Sequence, residues 1–137
     1  MKVLGLDIGD RRIGVAVSDE EMHMARPLVV IDRTNDDSTI AKISKTIKEQ
    51  RASVIVYGNP LSLSGRPGRQ AELTGRFAER VGAAAGVPVI PQDERLSSAE
   101  AEKTLIAQGL KRGKRRAVID KIAAAIILQA YLDGRRD

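Results

Sequence analysis

Cysteine is absent from the chain, and so is tryptophan. Without cysteine there are no disulfides, no thiolate nucleophile and no cysteine-ligated zinc or iron–sulfur site. The absence fits a reducing cytosol. Aromatic side chains number three, Tyr57, Phe77 and Tyr131. The core must therefore be aliphatic, and base stacking on aromatic platforms, the usual single-strand-binding device, is nearly unavailable. Histidine occurs once, at His23, in the acidic stretch EEMHMA, which reads as an exposed hairpin loop. Long hydrophobic runs are lacking too. Residues 1–6 are too short for a signal peptide and end at Asp7. The run Ile122 to Leu132 is about half of what a spanning helix needs, and Asp120, Lys121 and Asp133 bracket it. The expectation is a cytoplasmic chain with no membrane contact.

What is present is one domain's worth of sequence, 137 residues, with 42% hydrophobic and 30% charged. That balance reads as a single globular domain spanning 1–137. The net charge is +5, from 23 basic and 18 acidic residues. The segment Gly109 to Arg116, GLKRGKRR, holds Lys111, Arg112, Lys114, Arg115 and Arg116 and no acidic residue. Setting those five aside leaves 18 of each sign, so eight residues carry the whole excess. Such a segment suits a polyanion, and nucleic acid is the natural partner. A solvated basic loop is the plainer alternative.

The apolar pattern predicts strands over Lys2 to Asp7, Ile13 to Ser18 and Leu28 to Asp32, the last following Pro27. Three in succession suggest an antiparallel meander. A helix capped by Asp37 or Ser38 follows, with Ile40, Ile43 and Ile47 on one face. Ser53 to Gly58 is a continuous apolar run, as in a buried parallel strand. After the loop Asn59 to Arg69, a helix spaces Leu73, Phe77 and Val81 by four, and brings Arg69, Arg76 and Arg80 together on another face. Gly86 ends it, and a fifth strand begins at Val87. Ser97 to Glu100 matches a capping box and opens a helix that runs to Gly109. The last helix is predicted from Ala117 to Asp133, with Ile119, Ile122, Ala123 and Ile126 as its core stripe and Asp120 in its first turn. The order is βββαβαβαα, an α/β domain.

Three carboxylate spots lie in apolar surroundings. Asp7 ends the first strand, Asp93 and Glu94 end the fifth, and Asp120 begins the last helix. In an open α/β sheet, functional groups gather outside the strand ends. Carboxylates converging there repel one another unless they take up protons or bind a hard cation. An all-oxygen donor set favours Mg²⁺ or Mn²⁺, and such ions suit phosphodiester cleavage. Each residue also has a structural alternative. Asp7 can accept amides of the Gly9–Asp10 turn. Asp93 or Glu94 can pair with Arg95 or a hairpin arginine. Asp120 can answer the helix dipole.

The stretches DIGDRRIGVAVSD from Asp7, VYGNPL from Val56, DERLSS from Asp93 and VIDKIAAAIILQAYLD from Val118 resemble the YqgF or RuvX family. Its members are named as Holliday junction resolvases or pre-16S rRNA nucleases. The likeness runs along essentially the whole chain, with the four motifs in family order. It implies an RNase H-like fold of the RuvC type, a mixed five-stranded sheet flanked by helices. It implies a Mg²⁺ or Mn²⁺ site made by Asp7, Glu94 and Asp120, with Asp93 in reserve, because strand alternation sets Asp93 and Glu94 on opposite sides. Arg12 and Arg95 match positions that orient carboxylates or contact phosphate. One departure is visible. Many members resemble N-M-D-G-S after the Pro60 position, where this chain has Ser62 to Arg66 without the acid.

The expected activity is metal-dependent nucleic-acid hydrolysis, with processing of the 5′ end of precursor 16S rRNA ahead of four-way junction resolution. The preference for rRNA comes from the resemblance. Symmetric junction cutting needs two active sites and hence a homodimer; between monomer and homodimer the sequence leaves the choice open. The rival class is a non-catalytic nucleic-acid or ribosome-associated binding factor. The Asp-x-Gly hairpin also resembles the phosphate loop of sugar kinases and actin, but those ATPases close two such domains over nucleotide.

Overall fold

The computed structural model describes residues 1–60, 68–93, 103, 107 and 116–135, with the backbone alone for 116–118. β1 (Lys2–Ile8), β2 (Arg12–Ser18) and β3 (Ala25–Asp32) form the expected meander. α1 (Asp36–Gln50) leads to β4 (Ala52–Asn59), and α2 (Arg69–Ala85) leads to β5 (Val89–Asp93). α3 (Arg116–Gly134) closes the chain. The sheet order is β3-β2-β1-β4-β5. β1 pairs antiparallel with β2 and parallel with β4, and β4 pairs parallel with β5. This is the mixed five-stranded sheet that the sequence predicts. The helix expected from Ser97 to Gly109 lies outside the described residues, apart from the helical backbone at Lys103 and Ala107.

Strand alternation divides the core into two layers. Leu4, Leu6, Ile13, Val15, Ile55 and Tyr57 point to one side, where Ile43, Ile47, Phe77 and Val81 of α1 and α2 cover them. Val3, Ala16 and Val56 point to the other, under Ala124, Ala125, Leu128 and Leu132 of α3. The first layer is built of large aliphatics. The second carries small residues on the sheet, and this lets α3 lie close.

Several expectations shift in detail. Pro27 falls inside β3 rather than before it, which an edge strand tolerates, and the β2–β3 register slips between Val15 and Ala16 beside it. The cap of α1 is Asn35, not Asp37 or Ser38; its Oδ1 accepts from the Ser38 amide at 2.8 Å. Leu73 is 47% exposed, while Thr74 and Phe77 take the buried side of α2. The stripe of α3 is rotated as well. Ile119 is 50% exposed, and the buried positions are Ala124, Ala125, Ile127, Leu128, Gln129, Ala130 and Leu132.

The reason for that rotation lies in two glycines. A Cβ at Gly5 would stand 2.7 Å from Leu128 Cβ and 3.1 Å from the Ala124 carbonyl oxygen, and one at Gly14 would overlap the carbonyl of Asp120. The seam of α3 is therefore Asp120, Ala124 and Leu128, spaced by four along one face.

Candidate active site

β1, β3, β4 and β5 all end at the same edge of the sheet, and the β1–β2 turn crosses it. Asp7 sits there on β1, half-buried, paired with Gly14 of β2. Alternation from Val3 and Gly5 puts Asp7 on the α3 side. Gly14 is also where the Asp120 backbone rests. One residue pair thus links the two: Asp7 opposite Gly14, and Asp120 seated on Gly14.

α3 begins at Arg116, so Asp120 is in its second turn rather than its first. That removes most of the helix-dipole explanation, since the effect fades within one turn. The Asp120 carboxylate faces the sheet edge instead. Arg12 Nε, on the same face of β2, donates to Asp120 Oδ2 at 2.6 Å. Both side chains keep about a quarter to a third of their surface exposed, 32% for Arg12 and 26% for Asp120. Arg12 is thus paired with the Asp120 carboxylate. The Gly9 amide donates to the Arg12 carbonyl at 3.0 Å, and a Cβ at Gly9 would press on that same oxygen. The turn closes on itself and leaves Asp7 as the last acidic group of β1.

Asp93 is half-buried at the end of β5, paired with Asn59. Alternation from Val89, which packs in the α1/α2 layer, puts Asp93 on that side, away from Asp7 and Asp120. Ile90 packs in the α3 layer. Glu94, Arg95, Lys111, Arg112, Lys114 and Arg115 lie outside the described residues, as do the Ser62 to Arg66 loop and the Arg116 side chain.

Among the described residues one acidic group comes close enough to share a cation, and it is elsewhere. Ligand atoms of Asp19, Glu21 and His23 lie within 4.8 Å of one another in the β2–β3 hairpin. That hairpin is at the opposite end of the sheet from Asp7, since β2 runs antiparallel to β1. The group is compatible with a divalent ion, but local bonding already accounts for its shape. Asp19 Oδ1 accepts the amides of His23 at 2.7 Å and Met24 at 3.1 Å. Burial opposes the Asp19 charge; the Met24 and His23 amides and the nearby imidazole outweigh it and hold the carboxyl below its ordinary range. As the sequence suggests, His23 is exposed.

The sequence reading missed the clamp on the other side of the β1–β2 turn. Arg33, just after β3, donates from Nη1 to the Gly9 carbonyl at 3.0 Å, and its own amide donates to the Arg11 carbonyl at 2.8 Å. Its guanidinium lies over the Phe77 ring, 4.4 Å from the centroid. Only the position of Arg33 directly after a strand hints at this. The small residues Gly5, Gly14 and Ala16 were the readable sign of a close helix, because all three fall on one face at period two.

Comparison with known proteins agrees with this architecture. Residues 1–134 match the RuvX family, described as Holliday junction resolvase. A protein of Desulforudis audaxviator named "Putative pre-16S rRNA nuclease" is 43% identical over 99% of this chain and 96% of its own length. One of the same name from Chloroflexus aurantiacus is 46% identical over 98% of this chain and 88% of its own. Among solved structures, Thermus thermophilus RuvC in complex with a Holliday junction superposes with a TM-score of 0.66 at 20% identity, covering 98% of this chain and 96% of that one. Fowlpox virus resolvase with its junction DNA gives 0.63 at 10% identity over the full length of both. At these identities the structural likeness is one of fold, the RNase H-like fold of RuvC-type resolvases. In sequence, over nearly its whole length, the chain belongs to the RuvX family of nucleases.

Proposed function

We propose that residues 1–137 act as one nuclease domain that hydrolyses phosphodiester bonds in the 5′ region of precursor 16S rRNA. Asp7, Glu94 and Asp120 are its metal ligands. The observation that carries the reading is the meeting of Asp7 and Asp120 across Gly14, with Arg12 holding one oxygen of Asp120. Two aspartates brought to one strand end on the same face of the sheet offer oxygen donors only, which fits a hard cation such as Mg²⁺ or Mn²⁺. Glu94 is preferred over Asp93 because Asp93 falls on the α1/α2 side of the sheet. The metal, when bound, activates water and stabilises the leaving oxygen of the cleaved phosphodiester.

The chain's own residues do the rest. β1 fixes the backbone of Asp7 in a strand bonded on both sides, so its Cβ direction is set before substrate arrives. Arg12 fixes the rotamer of Asp120 and leaves its other oxygen for a ligand. Arg95 and the Lys111 to Arg116 segment supply charge for the phosphate backbone. Substrate preference for rRNA rests on the names of the relatives at 43–46% identity. Four-way DNA is the second reading, from the family description and the junction-bound structures that share the fold. It requires two copies of the chain working together. No helix among the described residues is long and apolar enough to cross a membrane.

The test is a cleavage assay with Mg²⁺ or Mn²⁺, offering a labelled precursor-rRNA fragment and a four-way DNA junction side by side. Cutting of the RNA by the wild type, lost in Asp7→Asn with the fold intact, is the expected result. Cutting confined to the junction moves the assignment to resolution. Binding of either without metal-dependent cutting turns it to a non-catalytic factor.

A further inference from the structure

At the edge that carries Asp7, but on the α1/α2 face, a cleft of about 430 Å³ opens between the β1–β2 turn and the first half of α2. Its walls are Asp10 of the turn, Arg33 and Asp36 below, and Gln70, Thr74 and Arg76 of α2. Arg80 closes one end. Arg69, Leu73, Arg76 and Arg80 follow one another at helical spacing, so three guanidiniums line one stripe of α2.

The three are not equivalent. Arg80 is spent on α1, with Nη1 at 3.2 Å from Asp36 Oδ2 and Nη2 at 2.9 Å from Asp37 Oδ1. Arg33 is spent on the turn and on the Phe77 ring. Arg69 and Arg76 make no ion pair or hydrogen bond among the described residues, and both are exposed. The first turn of α2 carries Glu72, which offsets part of the helix-end field, so the guanidiniums supply the positive charge. Its cap is Gly68, which offers no side-chain acceptor to the first amides.

The cleft is also joined to the catalytic edge. Arg33 holds the Gly9 carbonyl, and Gly9 is two residues from Asp7, within about 7 Å along the backbone. The cleft and Asp7 lie on opposite faces of the sheet at the same edge, so a strand that reaches Asp7 across the turn also passes the mouth of the cleft.

We propose that this cleft is a second phosphate site, in which Arg76 binds a backbone phosphate of the strand that reaches the catalytic edge. The proposal rests on the nuclease reading for its substrate. Arg33 shapes the cleft and ties it to the turn that carries Asp7, and Asp10 across the opening disfavours a second phosphate there. The site recognises charge and not base, in keeping with the scarcity of exposed aromatic groups.

The experiment measures binding of a single-stranded precursor-rRNA fragment with EDTA present, so that cleavage plays no part. Arg76→Gln and Arg76→Lys are compared with the wild type across a salt series. Arg76→Gln is expected to bind about tenfold more weakly, and its slope of log affinity against log salt to flatten by about 0.7, one phosphate contact on a single strand. Arg76→Lys should recover most of both. Fragments carrying one uncharged methylphosphonate at successive positions then locate the phosphate. The wild type should lose affinity at one discrete position, and Arg76→Gln should be indifferent there. Wild-type affinity and slope in Arg76→Gln, or identical methylphosphonate profiles in the two proteins, overturn the cleft. Cleavage by wild type but not Asp7→Asn is scored separately, so the nuclease reading and the cleft stand or fall on different measurements. A wild type that does not bind the fragment overturns the cleft.

Discussion

Replacing Gly14 with alanine puts one methyl group into the seam that sets the position of Asp120. The new Cβ would overlap the Asp120 carbonyl, a backbone atom that cannot rotate away. To restore ordinary van der Waals separation the helix must retreat by on the order of 1 Å. Overpacking of this kind costs about 1–3 kcal/mol. A chain of 137 residues unfolds with an entropy near 0.3 kcal/mol/K on the usual per-residue scale, so 2 kcal/mol lowers the melting temperature by roughly 7 °C. The larger effect is on chemistry, because a displacement of about 1 Å in a reacting group costs on the order of a hundredfold in rate.

The control is Gly5→Ala, which inserts the same methyl group against Leu128 and Ala124 of the same helix. Leu128 is eight residues from Asp120, about 12 Å along the axis. Gly5→Ala should therefore lower the melting temperature by a comparable amount while sparing most of the cleavage measured well below it. Thermal unfolding by circular dichroism and initial cleavage rates at 25 °C give the two quantities. If Gly14→Ala melts within 1 °C of the wild type and cuts at the wild-type rate, the close approach is wrong. If the two variants lose cleavage in proportion to stability, the special place of Asp120 on Gly14 is wrong.

Arg12→Ala removes the bond that fixes Asp120, and the expected result is at least tenfold slower cleavage with a higher metal requirement, read from a Mg²⁺ titration; the stability change should be about 1 kcal/mol or less. Gln129 is fully buried, with Oε1 accepting from the Ala25 amide at 2.8 Å and Nε2 donating to the His23 carbonyl at 3.0 Å and to Asp133 at 2.9 Å. Gln129→Leu strands those partners and should cost about 2–4 kcal/mol in denaturant unfolding, with no direct effect on cleavage by the folded protein. Asp19→Ala should reduce stability slightly at neutral pH. Its carboxyl titrates lower folded than unfolded, so the contribution is present above the unfolded value and is lost as pH falls through the folded one. The difference from wild type should accordingly shrink and disappear as pH falls below the ordinary carboxylate range in pH-dependent melts.

The sheet was legible because its strands obey period two or run continuously apolar, and because Gly86 and the polar stretch before α1 mark the breaks. Boundaries moved where a side chain acts at a distance from the pattern. Asn35 caps α1 because its extended backbone aims Oδ1 at Ser38, and nothing in the spacing separates it from Asp37. The face of α3 was misread because that helix is apolar nearly all round. With no polar side to orient it, hydrophobic spacing cannot say which stripe is buried, and the glycines of the opposing strands decide. Asp7 and Asp120 were readable as charges in apolar sequence, yet their meeting was not, since it depends on Gly14 belonging to both the β1 pairing and the α3 seam. Arg33 was hidden for a related reason: its partners are backbone carbonyls, which leave no trace in residue type.

The β1–β2 turn gives these pieces a common origin. It is short, and three contacts close it: Gly9 to the Arg12 carbonyl, Arg33 to the Gly9 carbonyl and the Arg33 amide to the Arg11 carbonyl. Because β2 alternates, Arg12 leaves the turn on the α3 side and takes Asp120, while Asp10 and the Arg33 clamp stand by the cleft under α2. One rigid turn therefore sets the carboxylates on one face and the arginine cleft on the other, with Asp7 at its base. The same hydrogen bonds thus fix the turn toward both faces, and loosening the Arg33 clamp should disturb both the carboxylates and the cleft.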